Sequence, residues 1–157
     1  MNDYDSPYAA LEAVLFIEAH PDLSFRIEDE TRLIASPTEQ AREHSARIRE
    51  LKWPIMDVIG REWTRHRARH LVDQIHKYIT HVVLASGMVE TLEYVDGALG
   101  AEEPTLLAEE QHTIEAAIDA AAKKEDWSRF RSNVACYVNF WRSVHNERIE
   151  NEEAVAA

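Results

Sequence analysis

Between Pro54 and Pro104 the chain contains no proline, and the pattern is helical as far as about Tyr94, with Gly60 and Gly87 as its only weak points. At about 100° per residue, Leu71, Ile75, Tyr78, Val82 and Val89 line up as one apolar stripe. Ile59, Trp63, Leu84, Met88 and Val95 form a second. A helix that is apolar on two faces has to be covered on two sides, so this segment is expected to be the long central helix of the fold. Roughly forty residues is long for a globular helix, and a kink is expected near one of the glycines.

Punctuation sets the other elements around it. Ser6-Pro7 and Ser36-Pro37 each read as an N-cap followed by proline at the first helical position, with Glu39 placed for a capping box. His20-Pro21 stops the first helix, and Asp22 or Ser24 caps a second from about Phe25 to Ala35. A third covers 37 to 52 and ends at Trp53-Pro54, where the long segment begins. Asp96 to Gly100 closes that segment, Pro104 opens a fifth helix to about Lys124, and Asp126 caps a sixth from Trp127 to near Glu153. Four Gly and five Pro in 157 residues, with 45% apolar residues, suit such a helix-rich globule. The expected fold is all-α, an antiparallel bundle of about six helices. It forms a single domain over 1–157, with short N-terminal helices at 7–35 and a bundle core at 37–155.

A net charge of −12 opposes binding to nucleic acid, because phosphates are repelled. The start has no basic n-region, and Glu12 and Glu18 interrupt its apolar stretch. Neither a signal peptide nor a membrane span is expected, and the location expected is cytoplasmic. The single Cys136 excludes an internal disulfide and, within VACYVNF, is expected to be a buried, inert thiol. The basic REWTRHRARH at 61–70 and the acidic ERIENEE at 147–153 read as two solvated patches. No nucleophile and base pair, phosphate-cradling glycine loop or CxxC supports a hydrolase, kinase or thiol-redox activity.

The histidines carry the chemistry. His44, His76, His112 and His145 recur at intervals of 32, 36 and 33 residues, each near the middle of an expected helix. Antiparallel helices that each carry one imidazole at similar height build the metal sites of helical bundles. His66 and His70 lie one turn apart on the second stripe of the long helix, as does His81 nearby, and that spacing lets two imidazoles share an ion. His44 aligns with Ala41, Ile48 and Leu51, and His145 with Phe130, Val134, Tyr137 and Trp141, so both are expected to point inward. On the fifth helix Leu107, Ile114, Ala117 and Ala121 define a core face that brings Glu110 inward and leaves His112 at its back. The candidate metal ligands are therefore His44, His66, His70, Glu110, His112 and His145, for iron, a di-iron centre included, or zinc. Each inward histidine taken singly reads more readily as a hydrogen-bonded core residue than as a ligand.

The stretch LEAVLFIEAHPDLSFRIEDETRLI followed by AREHSARIREL resembles the hemerythrin-like, or HHE cation-binding, proteins. AEEQHTIEAAIDAAAKKEDW followed by FWRSVHNERIENEE is similar to them again. The resemblance implies a four-helix bundle holding a non-haem di-iron centre that binds or senses oxygen or a related small oxidant. In it Glu43-His44 matches the family's EH pair, Glu28 or Asp29 the carboxylate of the second helix, and His145 with Glu150 the final histidine-acid pair. Ser24 or Phe25 stands where the second-helix motif carries histidine. Two other classes suit the same residues. One is a sensing or regulatory helical domain whose His44, His145 and Glu110, beside aromatic walls, recognise an organic anion or amphipathic small molecule. The other is an acidic interaction module acting as a homodimer, through the long helix or through an N-terminal arm carrying Tyr8, Leu11, Val14 and Leu15.

Overall fold

The computed structural model describes residues 6–85, 87–96 and 106–156. The described chain is mostly helical. Its elements run α1 (Ala9–Ala19), β1 (Ser24–Glu28), β2 (Arg32–Ser36), α2 (Thr38–Glu43), α3 (Ser45–Glu50), α4 (Lys52–Gly60), α5 (Arg65–Tyr78), a π-helical turn (Ile79–Val83), α6 (Met88–Asp96), α7 (Leu106–Lys123) and α8 (Trp127–Ala156). They gather into two compact units, Met1–Leu71 and Val72–Ala157. The expected stop at Gly97 to Gly100 and start at Pro104 lie outside the described residues.

In the first unit α1 starts two residues later than Ser6-Pro7 led one to expect, with Tyr8 at the N-cap position and no side-chain cap, and Ser6 instead holds the turn before it. Its hydroxyl accepts the Tyr8 N–H at 3.1 Å, and its carbonyl accepts that of Ala9. The helix ends at Ala19, before His20-Pro21. Leu11, Ala13, Val14, Leu15 and Phe16 are buried, and α1 packs on α4, whose Ile55, Met56 and Val58 are buried. The apolar face proposed as a dimerisation arm is thus consumed inside the chain.

The helix expected from Phe25 to Ala35, and with it an all-helical 7–35, is a two-stranded antiparallel hairpin instead. Period two decides it. Phe25 pairs with Ala35 and Ile27 with Leu33 on one face, while Ser24 pairs with Ser36, Arg26 with Ile34 and Glu28 with Arg32 on the other, so one face of the ladder is apolar and the other is polar apart from Ile34. The turn is made by Asp29 and Glu30 at φ 51° and 63°. Ser36 ends β2 rather than capping a helix, and α2 starts at Thr38 without a side-chain cap. The expected third helix is two short ones, because His44 leaves helical geometry at φ −112° and ψ 16°.

The expected long helix is likewise broken, at both of its glycines. Gly60 ends α4, and Thr64 restarts the chain as α5 by accepting the Arg67 N–H on its hydroxyl at 3.1 Å. Arg67 ties the two helices: it donates to the Asp57 carbonyl at 2.8 Å and the Arg61 carbonyl at 3.0 Å. Its guanidinium lies 4.3 Å from the Trp63 ring centroid.

In the second unit α5 widens into the π turn, where the Leu84 N–H donates to the Ile79 carbonyl five residues back. Four of the five residues there, Ile79, Thr80, Val82 and Val83, are β-branched, and the Thr80 hydroxyl bonds back to the His76 carbonyl at 2.9 Å; both weaken regular α-helical packing. The helices α7 and α8 pack against each other through Ile118, Ala121, Phe130, Val134 and Val138. Their connection is a Schellman turn. The Asp126 N–H reaches the Ala121 carbonyl and that of Glu125 the Ala122 carbonyl, with Glu125 at φ 57°. Asp126 then caps α8 as expected, accepting the Arg129 N–H at 3.3 Å.

Glycine is the residue that occupies this left-handed position without cost. Glu125→Gly is therefore expected to stabilise the protein by about 1 kcal/mol, the relief of left-handed strain exceeding the extra entropy of the unfolded chain. A rise in urea midpoint at unchanged slope checks it, and an unchanged or lower midpoint would overturn it.

Candidate functional site

The second unit holds a cavity of about 220 Å³ lined by residues of α5, the π turn, α6, α7 and α8. Ile79, Leu84, Met88 and Leu92 form an apolar wall, with Met88 and Leu92 also exposed at the surface. The π turn matters here, since Ile79, Thr80 and Leu84 all line the space. Wide turns of this kind recur beside binding sites because they push a helix wall outward.

The opposite wall is polar. Glu115 on α7 accepts two hydrogen bonds on one oxygen, Oε1, from the Gln111 amide at 2.8 Å and from the Tyr137 hydroxyl at 2.8 Å. Burial, followed by the bond to Glu115 and its charge, pushes the Tyr137 phenol up to about 12. The phenol therefore stays protonated and acts as a donor. Trp141, 3% exposed, lines the same cavity. Its indole N–H lies close enough to the phenol to favour the ionised form, yet it completes no hydrogen bond within the described residues. The wall thus offers a ligand the second oxygen of a carboxylate, while the indole N–H is sealed from water beside the phenol.

The predicted metal ligands are placed as follows. His44 is half-buried between α2 and α3. Its ring lies 4.2 Å from that of His20 and 6.1 Å from that of Phe16, centroid to centroid. His66 and His70 are exposed on α5, one turn apart, and His81 is exposed as well, so these side chains belong to the polar face rather than to the second apolar stripe. Glu110 is exposed together with His112. The buried residues of α7 are Ala108, Ile118 and Ala121, which rotates the core face by one residue and brings Gln111 and Glu115 inward in place of Glu110.

His145 is half-buried on α8 and bonds Thr91 of α6 at 3.0 Å. Of the residues matched by resemblance, Glu28 sits on a strand and pairs with Arg26 and Arg32, Asp29 occupies the hairpin turn, and Glu150 is exposed. Among the described residues no three His, Cys, Asp or Glu side chains are grouped to hold a metal ion. Cys136, expected to be buried, is exposed on α8. No described helix is long and apolar enough to cross a membrane.

Glu115 and Gln111 were missed by sequence reasoning, although their spacing from Ala108 and Ile118 puts all four on one helix face. Comparison of the chain with protein-family models, curated proteins and solved structures finds no match.

Proposed function

We propose that this chain is a small-molecule-binding domain of the sensing or regulatory kind, with the cavity of the second unit as its site. The observation that carries the reading is a polar wall of half-buried Glu115 with buried Tyr137 and Trp141, facing an apolar wall of Ile79, Leu84, Met88 and Leu92. Sites for small organic ligands combine a mostly apolar lining with a few fixed polar groups in this way. The volume suits a short amphipathic molecule. A carboxylate already holding two donors favours a ligand that brings an amine or another donor, and disfavours an organic anion.

Titration with octylamine and with octanoate, followed by tryptophan fluorescence and melting temperature, tests this. Octylamine is expected to bind and to raise the melting temperature, with affinity at least about tenfold lower in Glu115→Gln and lost in Leu84→Trp, which fills the space. Equal binding of both probes, or binding unaffected by Leu84→Trp, would overturn the assignment.

A metal-binding role, with iron or zinc, is the second reading. Two observations favour it: the ring of His44 lies against a second imidazole, and His66 and His70 stand exposed one turn apart. Elemental analysis of protein purified without tag or chelator checks it. Two irons per chain would support the hemerythrin-like form, and one zinc or iron a mononuclear site. Metal-free protein after reconstitution would remove both.

A further inference from the structure

In the first unit α1 ends at Ala19, and His20 follows at the point where proline turns the chain away. The His20 Nδ1 lies 2.8 Å from the Phe16 carbonyl. A carbonyl oxygen only accepts, so Nδ1 carries the proton and the lone pair of the neutral ring is on Nε2. That is how proteins orient an imidazole for coordination: a backbone carbonyl holds one nitrogen and presents the other.

His44 leaves helical geometry where its ring meets this one, with centroids 4.2 Å apart and planes at 60°. Phe16 backs both rings, at 4.4 Å and 6.1 Å, and limits water on that side. Zinc–imidazole bonds of about 2.0–2.1 Å put two tetrahedral donors about 3.4 Å apart. Tetrahedral ligation at that bond length spaces two ring centroids about 5 Å apart, so the His44 ring has to turn and withdraw from its present 4.2 Å to share an ion with His20.

We infer that His20 and His44 form a two-imidazole site for a divalent transition ion of borderline softness, zinc, nickel or copper, with water completing the coordination. Two nitrogen donors without a carboxylate select these ions over magnesium and calcium, which take oxygen ligands. The net charge of −12 draws cations to the chain generally, but selectivity comes from the imidazoles. This site is separate from the cavity of the second unit, and His20 is absent from the ligands that the hemerythrin-like resemblance supplies.

The test is a zinc titration of the full chain in a His66→Ala/His70→Ala background, which removes the exposed pair, read by ring-nitrogen NMR and calorimetry. One ion per chain is expected, with the His20 and His44 ring signals moving together. His44→Phe keeps an aromatic ring against Phe16 but cannot ligate, and is expected to fold with an unchanged amide spectrum elsewhere while binding zinc at least about tenfold more weakly. His20→Ala is expected to lose binding to the same degree. Full affinity in either variant, or zinc shifts confined to other histidines, would overturn the site. Magnesium binding to the same two rings with equal affinity would overturn its chemistry.

Discussion

Replacing Arg67 by alanine is expected to destabilise the protein by about 2 kcal/mol. The side chain is 14% exposed and spans the break between α4 and α5. Its two terminal nitrogens donate to the carbonyls of Asp57 and Arg61 and to the Asp57 carboxylate at 3.1 Å, while its planar face covers Trp63. Trp63 in turn donates its indole N–H to the Val58 carbonyl at 3.2 Å, so one side chain holds both the helix end and the aromatic that seals it. The Asp57 carboxylate is 40% exposed, and the ion pair itself contributes little. The Asp57 carbonyl keeps the Arg61 N–H at 3.3 Å and the Arg61 carbonyl is open to water, so most of the loss comes from the uncovered indole and the broken tie between the two helices. Lysine keeps the charge but not the fork that reaches two carbonyls at once, so Arg67→Lys is expected to recover less than half of the loss. Urea unfolding measures both, and a loss under about 1 kcal/mol in Arg67→Ala would show that the break is held by other contacts.

This clamp also explains why the segment after Pro54 was legible only in part. Of its two stripes Leu71, Ile75, Tyr78, Trp63, Leu84 and Val95 are buried, whereas Ile59, Val82, Met88 and Val89 are exposed. Two stripes on one sequence, however, are equally the signature of consecutive helices that each have one buried face. The glycines marked the breaks, and Thr64 was the helix start that would have turned a kink into a stop. The hairpin was lost for a different reason. FRIE and RLIA are each too short for alternation to outweigh a run of good helix formers, and the turn between them uses Asp29 and Glu30 rather than Gly or Asn-Gly. Punctuation fared better at His20-Pro21, where α1 stops, and at Asp126, which caps α8, whereas neither Ser6 nor Ser36 caps a helix.

The site was legible at the level of single residues and not of faces. Tyr137 and Trp141 were placed correctly on the inner stripe of α8, and both line the cavity. On α7, alanines occur on every side, so the choice between a face through Leu107 and Ile114 and one through Ala108 and Ile118 rested on two residues. The first choice pointed to Glu110, whereas the second leads to Glu115. A rotation of one residue exchanges the solvated acid for the half-buried one, and no periodicity in so alanine-rich a helix resolves it. His20 was assigned to the helix end, which it does occupy. Its contact with His44 depends on how the hairpin and α2 return the chain, and that lies beyond any local pattern.

Thr91→Val is expected to cost about 2–3 kcal/mol, because a fully buried hydroxyl there serves two partners at once. The Arg148 Nε donates to the Thr91 oxygen at 2.9 Å. The hydroxyl's own proton is then left for His145 Nδ1, 3.0 Å away. Valine keeps the shape but strands a guanidinium N–H and an imidazole nitrogen, although the bond from Arg148 to the more exposed Glu152 remains. The same arrangement makes stability depend on pH. Burial first, and the nearby Arg148 charge second, hold the His145 imidazole below its usual range. Below the ordinary imidazole pKa of about 6.5, the unfolded chain takes up a proton that the folded chain still refuses. The contribution is therefore complete above that pH and is lost as pH falls beneath it. His145→Gln keeps an acceptor for the Thr91 hydroxyl but does not titrate. The urea midpoint of the natural chain is expected to fall more steeply from pH 7.5 to pH 5 than that of His145→Gln. Parallel pH profiles would mean that His145 takes up its proton as readily folded as unfolded.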